Sequence, residues 1–489
     1  MIHGAIFPRL ATSSPRLASL AAVVLMAVQL VSPPAQAETV VEEVVTESGI
    51  TAWLINEPAV PLVAVAFQWR GGGSADPEGR EGLSRMVAGL LDEGAGELDS
   101  LAFRTILEDQ AIRLGFSHER DAFSGRLLTL TENQEQAFDM LRLALAEPRF
   151  DAEPVERIRN QLTADIQRRR NDPNTMAALA WFTHAFEGHP YGRTTQGTLD
   201  SIQAIEEDEL RAYVTERLGR DNLVIGVAGD ITAEALAPLL DQAFAHLPAK
   251  AELPPLEPTT PRTGETLVNR INVPQSVVTF GLPGIERDDP DYYAAFVANY
   301  ILGGGGFASR LTEQVRERRG LAYSVYSYLM DADLAPLWMG GVATRNDQVA
   351  QSMEVIRAEL ARMADGDLDA SDLANAQTYL TGSFPLRFTS NENVARMLVG
   401  MQAQDLGIDF LDRRNSYIEA VTLDDLKQVS ARLFENDLLV SIVGDPVGIE
   451  ATAAAPLPIT GPGEGPGNGP GNGNAPGNGA GNSDGGGEG

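Results

Sequence analysis

The sequence predicts an α+β protein of two homologous domains, each a mostly antiparallel sheet with helices packed on one face, joined by a proline-rich linker. The main observation is an internal repeat: residues 217–230 read RLGRDNLVIGVAGD and residues 432–445 read RLFENDLLVSIVGD. Each copy reads as the end of an amphipathic helix, a polar turn, a β-rich run and a Gly-Asp turn. Two copies are too few to stack as a solenoid, so the repeat indicates a duplicated domain.

The beginnings of the two segments are also alike. Apolar, β-branched runs at 62–69 and 275–282 lead through a turn into a long helical pattern. Residues 81–93 carry leucine, methionine and valine at i, i+3, i+4 and i+7, which predicts a helix with a core-facing stripe. Strands followed by several helices and a closing strand are typical of α+β domains.

Changes in composition set the predicted boundaries. Residues 247–264 are rich in proline and lack apolar periodicity, which predicts a linker between an N-terminal domain, 38–246, and a C-terminal domain, 265–450. From Ile459 onwards the chain consists largely of Gly, Pro and Asn. Because such a composition buries too little apolar surface to offset the entropy of ordering, we expect a disordered tail over 451–489.

Residues 1–37 are typical of a secretory signal peptide. Arg9 and Arg16 precede or begin an apolar run that ends at Val31, and Ala35-Gln36-Ala37 fits an A-x-A cleavage site. The apolar run is shorter than the ~20 residues that a membrane span requires, although a retained anchor is the alternative. We therefore expect an exported protein, periplasmic or extracellular, without stable membrane insertion.

The chain is strongly acidic and contains no cysteine. Its formal net charge is −31, which repels nucleic-acid phosphates and favours basic peptides, although solubility alone would also explain it. The absence of cysteine excludes disulfides and thiolate metal sites. We expect no nucleic-acid partner.

Two stretches carry a family resemblance. Residues 303–328, GGGGFASRLTEQVRERRGLAYSVYSY, closely resemble the C-terminal-domain signature of the insulinase/pitrilysin metallopeptidases, in particular the branch that contains the mitochondrial processing peptidase. Residues 71–94 and the sequence GHPYG at 188–192 are similar to N-terminal-domain stretches of the same family. Together these resemblances extend over both predicted domains.

The resemblance implies a lost zinc site. The inverted family motif H-x-x-E-H places two histidines one helical turn apart as zinc ligands and a glutamate as general base. Aligned on Gly82-Leu83, this chain has Arg85, Ala88 and Gly89 at those three positions. The family's third ligand, a glutamate some seventy to eighty residues further on, corresponds to a position at or near Ala164, beside Asp165. We expect no metal or cofactor on this chain, and zinc on a partner subunit.

The remaining histidines do not form an alternative zinc motif. His184 and His189 are five residues apart, about 140° around a helix rather than 40°, and a proline follows His189. His118 and His246 have no companion ligand nearby in the sequence.

The resemblance assigns substrate-side residues to the second domain. Arg316 and Tyr323 match the family's Arg/Tyr pair, which implies that they reach in trans to a zinc site on the partner chain. A guanidinium can hold a substrate carbonyl, and a tyrosine hydroxyl can donate to an oxyanion. A solvated helix face around Arg316 and ordinary strand packing of Tyr323 are the alternative.

The glycine-rich loop before this pair completes the predicted substrate-binding set. Gly304, Gly305, Gly306 and Phe307 would let the backbone approach a peptide, because glycine removes side-chain obstruction. No P-loop lysine follows, which argues against nucleotide binding.

These residues predict a non-catalytic, substrate-binding subunit of a heterodimeric exported zinc peptidase, inactive alone. Its partner would be an insulinase-family subunit with an intact zinc motif, and its ligand a peptide. An inert scaffold or peptide-binding protein, and a peptidase with another metal arrangement, are the alternatives. The sequence is also compatible with a homodimer.

Overall fold

Two mixed β-sheets form the framework of the protein. The computed structural model describes residues 40–456, so the predicted signal peptide at 1–37 and the tail from 457 lie outside the described residues. The first sheet has the order β1-β2-β6-β3-β5-β4. Its strands are β1 (Glu42–Val45), β2 (Thr51–Asn56), β3 (Leu62–Arg70), β4 (Arg113–His118), β5 (Ala122–Leu130) and β6 (Leu223–Gly229).

The helices of the first half lie between these strands and after β6. They are α1 (Leu83–Ala88), α2 (Ser100–Asp109), α3 (Gln134–Ala146), α4 (Ala152–Arg169), α5 (Pro173–Ala185), α6 (Leu199–Ala204), α7 (Glu207–Ala212) and α8 (Ala233–Phe244). Helix α7 continues as a π-helical turn over Tyr213–Arg217. Residues 247–264 then run without helix or strand to the second half.

The second sheet repeats the pattern with the order β7-β11-β8-β10-β9. Its strands are β7 (Thr266–Arg270), β8 (Gln275–Pro283), β9 (Ala322–Met330), β10 (Leu337–Arg345) and β11 (Leu439–Gly444). Its helices are α9 (Tyr292–Asn299), α10 (Val349–Ala364), α11 (Ala370–Gly382), α12 (Asn391–Ala403), α13 (Phe410–Glu419) and α14 (Leu423–Leu433). Two π-helical segments, Tyr300–Gly304 and Thr312–Glu317, connect α9 to β9.

The duplication predicted from the sequence is visible in the strand order. The two repeat copies end in β6 and β11, and each of these strands pairs in parallel with one neighbour and antiparallel with the other. Each strand ends at a glycine with positive φ, 137° at Gly229 and 151° at Gly444. A Cβ at Gly229 would lie 2.0 Å from the Leu62 carbonyl oxygen, so a larger residue would disrupt the turn. The α+β prediction is therefore confirmed.

The two halves exchange one helix each across the sheets. On the first sheet, Phe67 and Ile225 face the core of their own half, whereas the small residues that alternate with them, such as Ala66 and Gly226, face α12 of the second half. A Cβ at Gly226 would lie 2.3 Å from the carbonyl oxygen of Ala395 in α12. Small residues on this face therefore permit close approach of the helix backbone.

Helix α5 makes the reciprocal contact with the second sheet. Its Trp181 is fully buried against Leu267, Met339 and Leu439, and the indole Nε1 donates a hydrogen bond of 3.0 Å to the Leu439 carbonyl oxygen. A Cβ at Gly281 would lie 2.8 Å from the indole ring. The structure thus adds to the predicted helices on one face of each sheet a helix from the other half on the opposite face.

The helix predicted over 81–93 is shorter than its pattern indicated. It spans only Leu83–Ala88 and is followed by turns, because Gly89 caps it and the backbone N–H groups of Leu90 and Leu91 both turn back to the carbonyl oxygen of Val87. Leu90 and Leu91 remain buried, so the apolar pattern marked burial correctly although the helix ends earlier.

Among residues 40–456, no helix is both long and apolar enough to cross a bilayer.

The exchanged helices make Trp181 a stability determinant. We expect Trp181→Ala to lower the free energy of unfolding by about 3–5 kcal/mol, the usual cost of truncating a buried tryptophan, because both its packing and its hydrogen bond are lost. Urea unfolding followed by circular dichroism measures this. Leu101→Ala, at an exposed position in α2, is the control and should change the value by less than about 0.5 kcal/mol. Equal effects of the two substitutions would contradict the role of the exchanged helix.

Candidate functional site

The positions that correspond to the zinc motif lie on α1, whose beginning is fixed by a buried carboxylate. Asp76 accepts hydrogen bonds from the backbone N–H groups of Gly82 (3.0 Å) and Ser84 (3.1 Å) and from the Ser84 hydroxyl (3.0 Å). Burial raises the pKa of Asp76 to about 7 despite these bonds. The short helix is therefore held in one orientation, packed against α4.

An ion pair lies where the family motif would hold its metal. Arg85, at the first histidine position, reaches from α1 to Asp165 on α4, with Nη2 2.5 Å from Oδ2. Both side chains are largely buried. Asp165 also accepts from Arg168 (2.5 Å) and Arg169 (2.6 Å). A guanidinium charge thus meets the carboxylate that could otherwise have served as a ligand.

The pKa of Asp165 reflects this surplus of cations. Burial raises it, but the hydrogen bonds from Arg85, Arg168 and Arg169 outweigh burial and lower the pKa to about 2. The family resemblance puts Ala164 at or near the position of the third zinc ligand. The structure turns Ala164 to the surface, and Asp165 is the residue that faces α1.

The two other motif positions do not supply ligands. Ala88 is buried, and a Cβ at Gly89 would already lie 3.3 Å from the Ile158 side chain. One carboxylate already paired with a guanidinium is not a donor set for zinc, which needs three or four neutral or anionic ligands. The residues present therefore do not fit the family's metal. Within residues 40–456, no group of three or more His, Asp or Glu side chains is arranged to hold one.

His184 and His189 form separate hydrogen bonds. His184 Nε2 lies 2.5 Å from Glu265 Oε2. His189 Nε2 lies 2.9 Å from the Glu257 carbonyl oxygen, and its Nδ1 accepts a hydrogen bond from the Tyr191 backbone N–H at 3.1 Å. The two rings therefore hold different segments of chain and share no ligand.

His118 lies beside the ion pair. Its Nε2 is 3.3 Å from Nε2 of Gln196, whose carbonyl oxygen accepts a 3.1 Å hydrogen bond from Arg85. Burial, together with the charges of Arg85 and Arg169, lowers the pKa of His118 to about 4. The imidazole is thus neutral over the ordinary pH range, in a site that already holds excess positive charge.

The second half brings together three of the predicted substrate-binding side chains. The Arg316 guanidinium lies over the rings of Phe307 and Tyr323, with Cζ 4.8 Å and 5.0 Å from the two ring centroids. The rings themselves are 76% and 82% exposed, so they are available to a second molecule. Arg316 also pairs with Glu317 at 3.2 Å. The alternative, that Tyr323 packs as an ordinary strand residue, does not fit this exposure.

A β-bulge turns Tyr323 outward. In the β9–β10 ladder, Ala343 pairs with Ser324 and Thr344 with Ala322, so Tyr323 has no partner residue. An inserted residue of this kind bends the strand and re-aims a side chain. The π-helical segment Thr312–Glu317 precedes the strand and brings Arg316 to the same place.

The glycine-rich loop lies beside this cluster. Gly304 and Gly306 are exposed, and Gly306 has a φ of +58° with open space where a Cβ would lie. Gly303 is different: its Cβ would lie 2.3 Å from the Ser327 hydroxyl, so it is required for packing against β9. The roles of Gly304, Gly305, Gly306 and Phe307 toward a peptide stay predictions.

Comparison with known proteins identifies the family. The family model of the peptidase M16 inactive domain matches residues 204–380. A protein of Helicobacter pylori called non-peptidase homolog YmxG is 27% identical over 414 residues, which cover 81% of this chain and 95% of the relative. The uncharacterized zinc protease YmxG of Bacillus subtilis is 26% identical over 414 residues, with 81% and 96% covered. The chain is therefore similar to members of the insulinase (M16) peptidase family over both of its halves. The family predicted from residues 303–328 and 71–94 is thereby confirmed.

Two solved structures share the fold. The crystal structure of a peptidase M16 inactive domain from Pseudomonas fluorescens has a TM-score of 0.78 at 24% identity and covers 84% of this chain and 99% of its own. A protease from Helicobacter pylori has a TM-score of 0.75 at 17% identity, with 83% and 99% covered. The chain therefore shares the two-sheet architecture of these structures, although Arg85, Ala88 and Gly89 stand at the positions that correspond to the zinc motif.

The Arg85–Asp165 pair generates a test of the site's electrostatics. We expect Arg85→Met to raise the pKa of His118 from about 4, because one repelling charge is removed, while burial keeps it below 6.5. In the folded wild type this pKa is depressed, so the unfolded chain binds more protons between about pH 4 and 6.5. Stability is therefore lost as the pH falls through that window.

The measurement is an NMR titration of the histidine ring protons, with urea unfolding at pH 7 and pH 5 beside it. His246 provides an internal control, since burial, not Arg85, is the main cause of its lowered pKa. The variant should show a higher His118 pKa and a shallower loss of stability. An unchanged His118 pKa would show that Arg85 does not act on the imidazole.

Proposed function

We propose that this chain is the non-catalytic, substrate-binding subunit of an exported heterodimeric peptidase. Its partner is an insulinase-family subunit with an intact H-x-x-E-H motif, which supplies the zinc. The observation that carries the proposal is an asymmetry between the halves. The first has an Arg85–Asp165 ion pair in place of a metal site, whereas the second keeps Arg316 and Tyr323 together and exposed.

Arg316 and Tyr323 have the functional groups needed to act on a substrate bound at the zinc of a partner subunit. Tyr323 has no hydrogen-bond partner for its hydroxyl among the described residues, so the O–H is free to donate to an oxyanion that forms at the partner's zinc. Arg316 is held in place by its contacts with Phe307 and Tyr323, and its guanidinium can bind a peptide carbonyl. The Arg–aromatic stacking orients the guanidinium before substrate arrives.

An exposed aromatic surface continues from this cluster along β9. Tyr326 and Tyr328 are 51% and 43% exposed, with ring centroids 6.2 Å apart and nearly parallel planes. They lie on the sheet face opposite Val325, whose side chain belongs to the core. Exposed tyrosines are typical of binding surfaces, because they bury large area at little conformational cost. This surface suits a peptide or the partner subunit.

The acidic surface adds a preference. With a net charge of −31, the chain attracts basic peptides and repels acidic ones. A preference of the assembled enzyme for acidic peptides would contradict this part of the proposal.

The partnership is tested by recovery from the native envelope. We expect the tagged full-length protein to be recovered in equal amounts with a family member that carries an intact zinc motif, and with zinc only in the complex. Recovery alone and free of zinc would favour the inert scaffold or peptide-binding protein. Zinc bound to the isolated chain would favour a peptidase with another metal arrangement.

The Arg–Tyr pair is tested kinetically in the reconstituted complex. We expect Tyr323→Phe to lower kcat by about 100-fold or more, as loss of an oxyanion donor does in other hydrolases, with little change in KM. Arg316→Gln should raise KM as well, because it removes a contact with the bound substrate. Both variants should still recover the partner.

The matched control is Arg319→Gln, an exposed arginine three residues away that hydrogen-bonds only Gln314. It should leave both constants within about twofold. If Tyr323→Phe and Arg319→Gln have equal activity, the proposed catalytic role of Arg316 and Tyr323 is wrong.

A further inference from the structure

A cavity outside the site described above is lined by several arginines. It encloses about 580 Å³ between α9, α12, α13 and the residues around Phe384. Four arginines line it: Arg287, Arg387, Arg396 and Arg414. In the part of the chain that the structure describes, none of the four has a carboxylate within 4.0 Å. By contrast, the neighbouring Arg413 pairs with Asp409 at 2.6 Å and points away from the cavity lining.

Arg414 is the buried member of this group. Its guanidinium lies 4.1 Å from the Phe384 ring centroid, and Nη1 donates to the Leu380 carbonyl oxygen (3.1 Å) and to Asn415 (2.9 Å). Burial, together with the charges of Arg387 and Arg287, lowers its pKa to about 10. The other guanidinium nitrogens of Arg414 have no protein partner in the described residues, yet they are not sealed from solvent. They are therefore accessible to a ligand in the cavity.

Arg287 also lines the cavity and lies against aromatic rings. Its Cζ lies 4.1 Å from the Tyr292 ring centroid, Nη2 donates to the Tyr293 hydroxyl (3.1 Å), and Nε donates to Gln404 (3.2 Å). Stacking against the ring faces leaves the edge of a guanidinium, where its N–H groups lie, free for oxygen acceptors.

The nearby negative charge does not balance these cations. Asp331 is exposed and accepts hydrogen bonds from the Tyr292 hydroxyl (2.8 Å) and from Gln404 (3.3 Å). Desolvation raises its pKa, while Arg287 lowers it. The described lining contains four arginines and no acidic residue, which makes the cavity locally positive in a protein of net charge −31. Such like charges repel one another unless an anion joins them.

We propose that this cavity binds a small phosphate-bearing molecule with at least two phosphate charges. Arginine pairs bind phosphate oxygens in a planar, bidentate fashion, and a phosphate carries about two charges where a carboxylate carries one. Phe296 and Met397, also in the lining, offer apolar contact to the rest of such a molecule. The proposal does not depend on the peptidase partnership, since it concerns other residues of the isolated chain.

Titration calorimetry of the full-length protein with pyrophosphate tests the proposal. We expect saturable binding at one site per chain that weakens as salt is raised, because the attraction is between ions. Arg387→Gln combined with Arg396→Gln should weaken binding roughly tenfold, since both side chains are exposed and each contributes modestly. Both positions are at the surface, so the fold should be retained, which thermal unfolding verifies.

Arg413→Gln is the matched control and should bind pyrophosphate within about twofold of the wild type. Citrate, a small tricarboxylate, is titrated in parallel to separate phosphate from carboxylate chemistry. Absence of pyrophosphate binding would overturn the proposal, as would equal weakening in the control and the double variant. Citrate that binds as tightly as pyrophosphate would overturn the assignment to phosphate.

Discussion

The architecture depends on the exchange of one helix between the two halves. Each sheet packs one face against the helices of its own half, and its second face is buried by α12 or α5 from the other half. The small residues under α12 and the glycine under Trp181 exist to accommodate these helices at close range. Neither sheet is complete without its counterpart, so the distances between elements of the two halves are fixed by packing rather than by the proline-rich connection.

This rigid framework carries two halves that have diverged in chemistry. In the first half, Asp76 still fixes the beginning of α1, so the backbone that would present a metal site is retained. The side chains there form a closed set of charges that bind one another. In the second half, a bulge and a π-helical turn keep Tyr323 and Arg316 exposed and oriented. The same duplicated fold thus has one internally satisfied site and one that is open to another molecule.

Patterns that repeat locally predicted most of the fold, whereas contacts between distant residues were not predictable. The Gly229-Asp230 and Gly444-Asp445 turns identified the duplication, because their conformation requires glycine and therefore leaves a mark in the sequence. The resemblance of residues 303–328 placed Arg316 and Tyr323 correctly on neighbouring elements. The β-bulge at Tyr323 has no signature in the sequence, because it is visible only in the pairing register of β9 with β10. The sequence comparison pointed to Ala164, one position before Asp165, for a similar reason. The face of α4 that meets α1 is decided by packing between distant residues. The arginine cavity joins residues more than a hundred positions apart, and no local pattern indicated it.

The Arg85–Asp165 pair has a consequence for the history of this chain. A zinc site would require histidines at positions 85 and 89 together with a third ligand from α4, and a lone histidine at either position would still lack the other ligands. Replacing Arg85 first would also take a strong hydrogen bond from a buried carboxylate before anything else could use it. No single substitution at these positions would therefore create a zinc site.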